Sequence, residues 1–199
     1  MPQLHLAQDT RADALLSRDS FALLVGMLLD QQIPMERAFA GPRVLAERLG
    51  SPDGLDPKAV AALDPEELAA IMSTPPAVHR FPGSMASRVH AVARAVVDEY
   101  GGDAASLWST ASDGAELLHR LEELPGFGRQ KAQIFVALLG KQLDVRPDGW
   151  REAAGPYGEE GSHRSVADVR DAASLARVRA YKQEQKKANK PSSGGSRRG

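Results

Sequence analysis

Apolar residues recur along this chain at three- and four-residue intervals, the spacing of helices that bury one face. Phe21, Leu24, Val25, Leu28 and Leu29 form one such stripe, with cap residues before it over Ser17–Ser20. It runs out at Asp30-Gln31-Gln32, because Ile33 precedes Pro34 and a residue before proline is biased away from helical geometry. The pattern predicts a short helix near residues 11–16 and a helix over 35–49 interrupted at Gly41-Pro42. Residues 57–63 and 65–72 read as short helices, each announced by Asp-Pro, a capping residue with proline in the first turn. Val89, Val92, Ala93, Val96 and Val97 mark a strongly amphipathic helix over 85–100 that Gly101-Gly102 ends. Further helical runs cover 103–108, 113–123, 130–139 and 162–187, the last with Val166, Val169, Ala172, Leu175 and Val178 every third residue. No β-alternating run and no internal repeat occurs, so the fold class is all-α.

Composition narrows the function classes. The 199 residues are 42% hydrophobic and 26% charged, as in a globular protein with a sizeable core. No apolar run reaches membrane-spanning length, and the first residues lack the basic start and apolar middle of a signal peptide, so the expected location is the cytoplasm, close to the nucleoid if DNA is the partner. The chain has no cysteine, which excludes disulfides and cysteine-ligated zinc or iron–sulfur centres, and its five histidines show no metal-ligand spacing. Charge is uneven. From Lys182 onward six Lys or Arg face one Glu, a net +5 that leaves −6 on residues 1–181. The expected organisation is a helical domain over 1–181 and a disordered basic tail over 188–199.

The stretch with the strongest local chemistry is Leu124-Pro125-Gly126-Phe127-Gly128-Arg129-Gln130-Lys131-Ala132. Pro125 stops the helix before it, and glycines on both sides of Phe127 permit a tight reversal into the helix that follows. That second helix opens with unpaired N–H groups and the positive end of its dipole, a place for a DNA phosphate. An ordinary turn between packed helices has the same string. The dinucleotide fingerprint fails because Lys131 stands at its third glycine, and no phosphate-binding G-x-x-x-x-G-K-[ST] loop is present.

Leu124 to Ala132 resembles the hairpin of the helix-hairpin-helix GPD superfamily of base-excision DNA glycosylases, with the pattern L-P-G-[VIF]-G followed by a helix. Leu28-Leu29-Asp30-Gln31-Gln32 resembles the L-L-S-x-Q segment of the same enzymes, and Asp148 lies twenty residues after Gly128, where that family places a catalytic aspartate. The resemblance covers roughly residues 20–150. It implies two small helical lobes flanking a cleft: a six-helix lobe over about 20–120 with the hairpin at 113–140, and a second lobe from the N-terminal segment and the 162–187 helix.

What the resemblance implies for chemistry is specific. Asp148 is the candidate catalytic residue, stabilising the positive charge left on the sugar and orienting a water; Asp144 is the alternative if the helix end is offset by a turn. The candidate DNA-binding residues are Gly126, Phe127, Gly128, Arg129, Gln130 and Lys131 in the hairpin, Gln32 entering the duplex, and His79 and Arg80 in the proline-rich loop 73–84, where Val78, His79, Arg80 and Phe81 are all candidates for the wedge. Trp150 is the preferred wall of the base pocket, with Tyr157, Phe81 and Trp108 as other aromatic surfaces. The family's hairpins also hold a Na⁺ or K⁺ through backbone carbonyls, here those of Glu122, Leu124 and Phe127. No iron–sulfur cluster is compatible with a chain that lacks cysteine.

Bifunctional members carry a nucleophilic lysine two residues after the second hairpin glycine, and here that residue is Gln130. Lys131 is one residue on, rotated by about 100° around the helix. The resemblance therefore implies a monofunctional glycosylase acting as a monomer on double-stranded DNA with a damaged base, and Arg146-Pro147-Asp148-Gly149-Trp150 is most similar to the branch that removes alkylated bases such as 3-methyladenine. The alternative is a helix-hairpin-helix protein that binds damaged or distorted DNA without cleaving it.

Overall fold

The computed structural model describes residues 3–188, so the tail expected from residue 188 lies, apart from Ala188, outside the described residues. These residues form eleven α-helices and no strand: α1 Thr10–Arg18, α2 Ser20–Leu29, α3 Met35–Arg48, α4 Pro57–Ala62, α5 Pro65–Ser73, α6 Pro82–Tyr100, α7 Ser106–Ser109, α8 Gly114–Glu123, α9 Arg129–Gln142, α10 Trp150–Ala154 and α11 Ala172–Ala188. An aspartate caps five of them at the N-terminus. Asp9, Asp19, Asp56, Asp64 and Asp113 each accept a backbone N–H from the first turn, satisfying donors that the helix cannot pair.

Helix α2 is the centre of the molecule, with every residue after Ser20 buried. It packs on α1, α3 and α6. The approach to α3 is close because Gly41 has no side chain: a Cβ there would lie 2.7 Å from Leu29 Cδ1. Helix α3 continues through Pro42, where the sequence suggests an interruption. Burial of Ala38, Phe39, Pro42, Leu45 and Ala46 along its length outweighs the one lost hydrogen bond.

The chain ahead of α1 is also packed rather than solvated. Leu4 and Leu6 are fully buried, and the N–H groups of Leu6 and Ala7 both end on the buried Asp13 carboxylate at 2.8 Å. Helix α1 then packs on α2 and α3, whereas α11 packs on a short 3₁₀ turn over Val166–Asp168. The two thus have different main partners, and an ion pair from Arg179 to Glu36 ties α11 to the start of α3.

The expected 162–187 helix begins only at Ala172. Before it, Ser165 and Asp168 cap each other across the 3₁₀ turn. The Asp168 carboxylate then reaches Lys141 Nζ at 2.6 Å, with only 4% and 9% of the two side chains exposed. Gln142 donates to the carbonyls of Ala167 and Val169 at 2.8 and 3.1 Å. These buried polar ties from α9 hold the segment in an irregular path. Val166 and Val169 are buried by the turn, and on α11 only Leu175 and Val178 are buried while Ala172 is exposed.

Candidate nucleic-acid interface

The hairpin joins α8 to α9. Leu124 and Phe127 are buried, and the turn closes with Phe127 N–H donating to the Leu124 carbonyl at 3.0 Å. Gly126 has φ +84°, and a Cβ there would meet Leu28 Cδ1 at 2.7 Å, so the turn is left-handed at this residue and pressed against α2. Gly128 differs: its φ is −79°, and nothing lies within 4 Å of where its Cβ would be. No side chain caps α9, in contrast to the five helices capped by aspartate. Its first N–H groups are thus left without a side-chain partner, the arrangement that receives an anion.

Beside the hairpin runs an open groove of about 670 Å³. One wall is the end of α2, the second is Gln130, Lys131 and Ile134 of α9 with Tyr157, and the third is the face of α11 that carries Tyr181 and Lys182. Lys131 fastens the first two walls together. Its Nζ donates to the carbonyls of Met27, Asp30 and Leu28 at 2.6, 3.2 and 3.3 Å, satisfying the unpaired end of α2. Burial pushes the Lys131 amine down to about 8, against the opposing pull of the Asp30 charge. Gln130 donates to the Tyr157 hydroxyl at 2.8 Å.

The turn after α2 is held in an uncommon shape. Gln32 is exposed at φ +59°, a left-handed conformation sparsely populated by residues other than glycine. Gln31 is pinned by its own amide to the Leu28 carbonyl at 2.8 Å and by Arg88 at 3.0 Å. The buried His79 ring bridges to the next loop, with Nε2 2.8 Å from the Gln31 carbonyl and Nδ1 accepting the Phe81 N–H at 3.0 Å. Both contacts together require the neutral ring with its proton on Nε2. Arg80 stands over the Phe81 ring at 5.3 Å, and Phe81 is 43% exposed, an apolar surface next to the Gln31–Gln32 turn.

A family model described as HhH-GPD superfamily base excision DNA repair protein matches residues 25–192, well over half of the chain. The chain belongs to the HhH-GPD superfamily. Comparisons with the curated proteins and with the solved structures find no match. Membership makes this a base excision repair protein of a family that acts on DNA, and the all-α fold is the one that the sequence pattern predicts.

Within this HhH-GPD protein the expected site residues separate into three groups. Gly126, Gly128, Arg129, Gln130 and Gln32 stand at the hairpin and groove, and Arg80 is exposed on the neighbouring loop. Phe127, Val78 and His79 do not face solvent. Phe127 packs edge-on against Phe135 with centroids 6.2 Å apart, and Val78 and His79 are buried, which leaves Arg80 and Phe81 as the exposed pair. Lys131 is spent on the end of α2 rather than turned to the hairpin's open face.

The third group is Asp148, Asp144 and Trp150, none of which lines the groove. Asp148 is exposed, and its carbonyl accepts the Gly114 N–H at 2.7 Å. It borders a different concavity with Asp113, Glu122, Arg129 and Glu152. Arg129 and Lys131 are two residues apart, about 200° around the helix, so these two hollows lie on different sides of the first turn of α9. Asp144 is exposed and paired with Arg146 at 3.2 Å. Trp150 is a core residue, 8% exposed, its ring packed over Gly140 and covered by the Arg151 guanidinium at 4.6 Å. Trp108 is likewise buried against Phe135. Of the four aromatic candidates, Tyr157 lines the groove and Phe81 is exposed.

The sequence reading missed the positioning roles of Lys131, Arg88 and His79, and the wall made by α11. Each acts on a segment dozens of residues away. No local motif marks such a contact.

Proposed function

We propose that this protein is a monofunctional DNA glycosylase of base excision repair, which grips a duplex strand at the hairpin, turns a damaged nucleotide out of the stack and hydrolyses its N-glycosidic bond. The observation that carries the reading is the adjacency of an uncapped, open helix start at Gly128 and a groove that holds Gln32 in a strained, projecting conformation. A base must leave the stack before its sugar bond can be reached, and Gln32 with Phe81 supplies groups to fill the gap. Tyr157 and Tyr181 offer surfaces against which an extruded base stacks. The string from Arg146 to Trp150 favours an alkylated base as the substrate.

Two features support water rather than lysine as the nucleophile. The family's nucleophile position holds Gln130, engaged with Tyr157, and the Lys131 amine donates to the carbonyls of Met27, Leu28 and Asp30. Borohydride added to enzyme and abasic DNA is therefore expected to trap no covalent adduct, and strand breaks should require alkali. A Na⁺ or K⁺ held by the carbonyls of Glu122, Leu124 and Phe127 would bridge the hairpin to a phosphate. The Leu124 carbonyl fits this only with its second lone pair, because the first accepts Phe127 N–H.

The grip is tested by Gly128→Val. Open space around Gly128 means that the variant should melt as the wild type does, while loss of one phosphate contact, about 1.5 kcal/mol, weakens duplex binding roughly tenfold. An unchanged affinity removes the hairpin from the interface. The reaction is tested by release of base from duplexes carrying alkylated, oxidised or deaminated lesions. The position of Asp148 outside the groove favours the second reading, a non-catalytic binder of damaged DNA, and tight lesion binding with no base released from any duplex would establish it.

A further inference from the structure

Hydrolysis of a glycosidic bond at the groove needs a carboxylate there, and among its described lining residues the only one is Asp30. Its surroundings fit the task. The backbone of Asp30 is fixed from both sides, its N–H donating to the Gly26 and Met27 carbonyls at 3.1 and 3.3 Å and its carbonyl accepting Lys131 Nζ at 3.2 Å. The carboxylate itself accepts no hydrogen bond from any described residue, and Lys131, the nearest cation on α9, has its protons directed to main-chain oxygens. Its backbone is thus fixed, while its carboxylate oxygens are engaged by no described residue and remain available to accept a proton.

Charge separates Asp30 from Asp148 as well. The groove carries Lys131, Lys182, Lys186 and Arg164 around Asp30, so it attracts a phosphodiester strand. The hollow at Asp148 carries Asp113, Glu122 and Glu152 besides Asp148, against Arg129, and so has the more acidic lining of the two.

We infer that Asp30, rather than Asp148, is the catalytic carboxylate of this protein, placed at the groove to activate water against the sugar of an extruded nucleotide. The inference rests on the glycosylase reading above. In the step, a water oxygen bonds to C1′ as the C1′–N bond breaks. The bond's electron pair leaves with the base, which departs neutral where alkylation had made it cationic and otherwise takes a proton from solvent, and Asp30 accepts the proton of the attacking water and returns it to solvent. The products are the free base and an abasic deoxyribose, with no redox change.

Burial raises the pKa of Asp30 above the ordinary aspartate value, and the charges of Lys182 and Lys131 hold it down. The other charges near this assembly are Arg88, which faces Lys131, and Arg164 and Lys186 across the groove. Asp30 must be ionised to act as a base, so single-turnover excision is expected to fall as pH drops, at a pH above the ordinary aspartate range. Removing the Lys182 charge should move that limb to higher pH.

The experiment compares single-turnover base release, duplex affinity and melting temperature for wild type, Asp30→Asn, Asp148→Asn and Lys182→Met on one lesion duplex. Asp30→Asn is expected to lose about a thousandfold in rate, within the range for removing a general base, with affinity and melting kept; Asp148→Asn keeps its rate. An active wild type whose Asp30→Asn variant is also active overturns the assignment alone, and so does a rate lost only in Asp148→Asn. Wild type that releases no base overturns the glycosylase reading and the assignment with it. If Asp30→Asn does not fold, the Lys182→Met profile decides: an acid limb moved upward supports Asp30, and an unmoved limb overturns it.

Discussion

Lys141→Met is expected to destabilise the protein by about 3–5 kcal/mol, the range for stripping one partner from a buried ion pair. The substitution keeps the length of the side chain and its apolar stem but leaves the Asp168 carboxylate without a cation in a site where 4% of that side chain is exposed. Asp168 still accepts the Ser162 hydroxyl and the N–H groups of Arg164 and Ser165, which lessens the loss without removing it. The measurement is denaturant unfolding followed by circular dichroism. The double variant Lys141→Met/Asp168→Asn should recover part of the loss, because a neutral amide is far cheaper to bury than an unpaired charge. Equal destabilisation in single and double variants would show that packing, not charge, holds this segment. The effect should also be local at first: protease cleavage between residues 159 and 171 is expected to rise before the rest of the chain unfolds, since this tie fastens the segment to α9.

Gly140→Val comes second, with an expected loss of about 3 kcal/mol or more from overpacking. A Cβ at this position would lie 2.4 and 2.5 Å from Cε3 and Cζ3 of Trp150, closer than any such contact tolerates, and the ring has nowhere to go under the Arg151 guanidinium. Helix propensity alone predicts the opposite sign for Gly140→Ala, about 1 kcal/mol of gain within a helix interior. Melting temperatures of both variants therefore separate packing from propensity. A Gly140→Ala protein more stable than wild type would show that Trp150 can shift aside. Gly114 meets the backbone at the start of α10, where a Cβ would be 2.6 Å from the Gly149 carbonyl, so α8 and α9 both rely on a missing side chain to seat α10.

The parts legible in the sequence were those written in neighbouring residues. Pro125, Gly126 and Gly128 specify the hairpin because proline and glycine restrict or free the backbone at their own positions. The stripe from Phe21 to Leu29 specifies α2 because burial on one face leaves a period. What escaped was assembled at distance. Lys131 reaches Met27 across 104 positions, and nothing in Arg129-Gln130-Lys131 tells a helix-capping lysine from one that faces DNA. Asp30 reads as a solvated helix end until α9 and α11 close over it. The helix expected over 162–187 starts later because Val166 and Val169 keep a helical interval while lying in a turn set by Asp168 and Lys141.

The staple from Lys131 to the last carbonyls of α2, with Gly126 resting on Leu28, has a mechanical meaning for reading DNA. The element that would clasp a strand and the fingertip at Gln32 that would probe it become a single lever with no hinge between them. Clasping one phosphate then indexes the probe to one nucleotide along the same strand, so the molecule inspects its track in fixed steps, like a gauge of set length drawn along a rail.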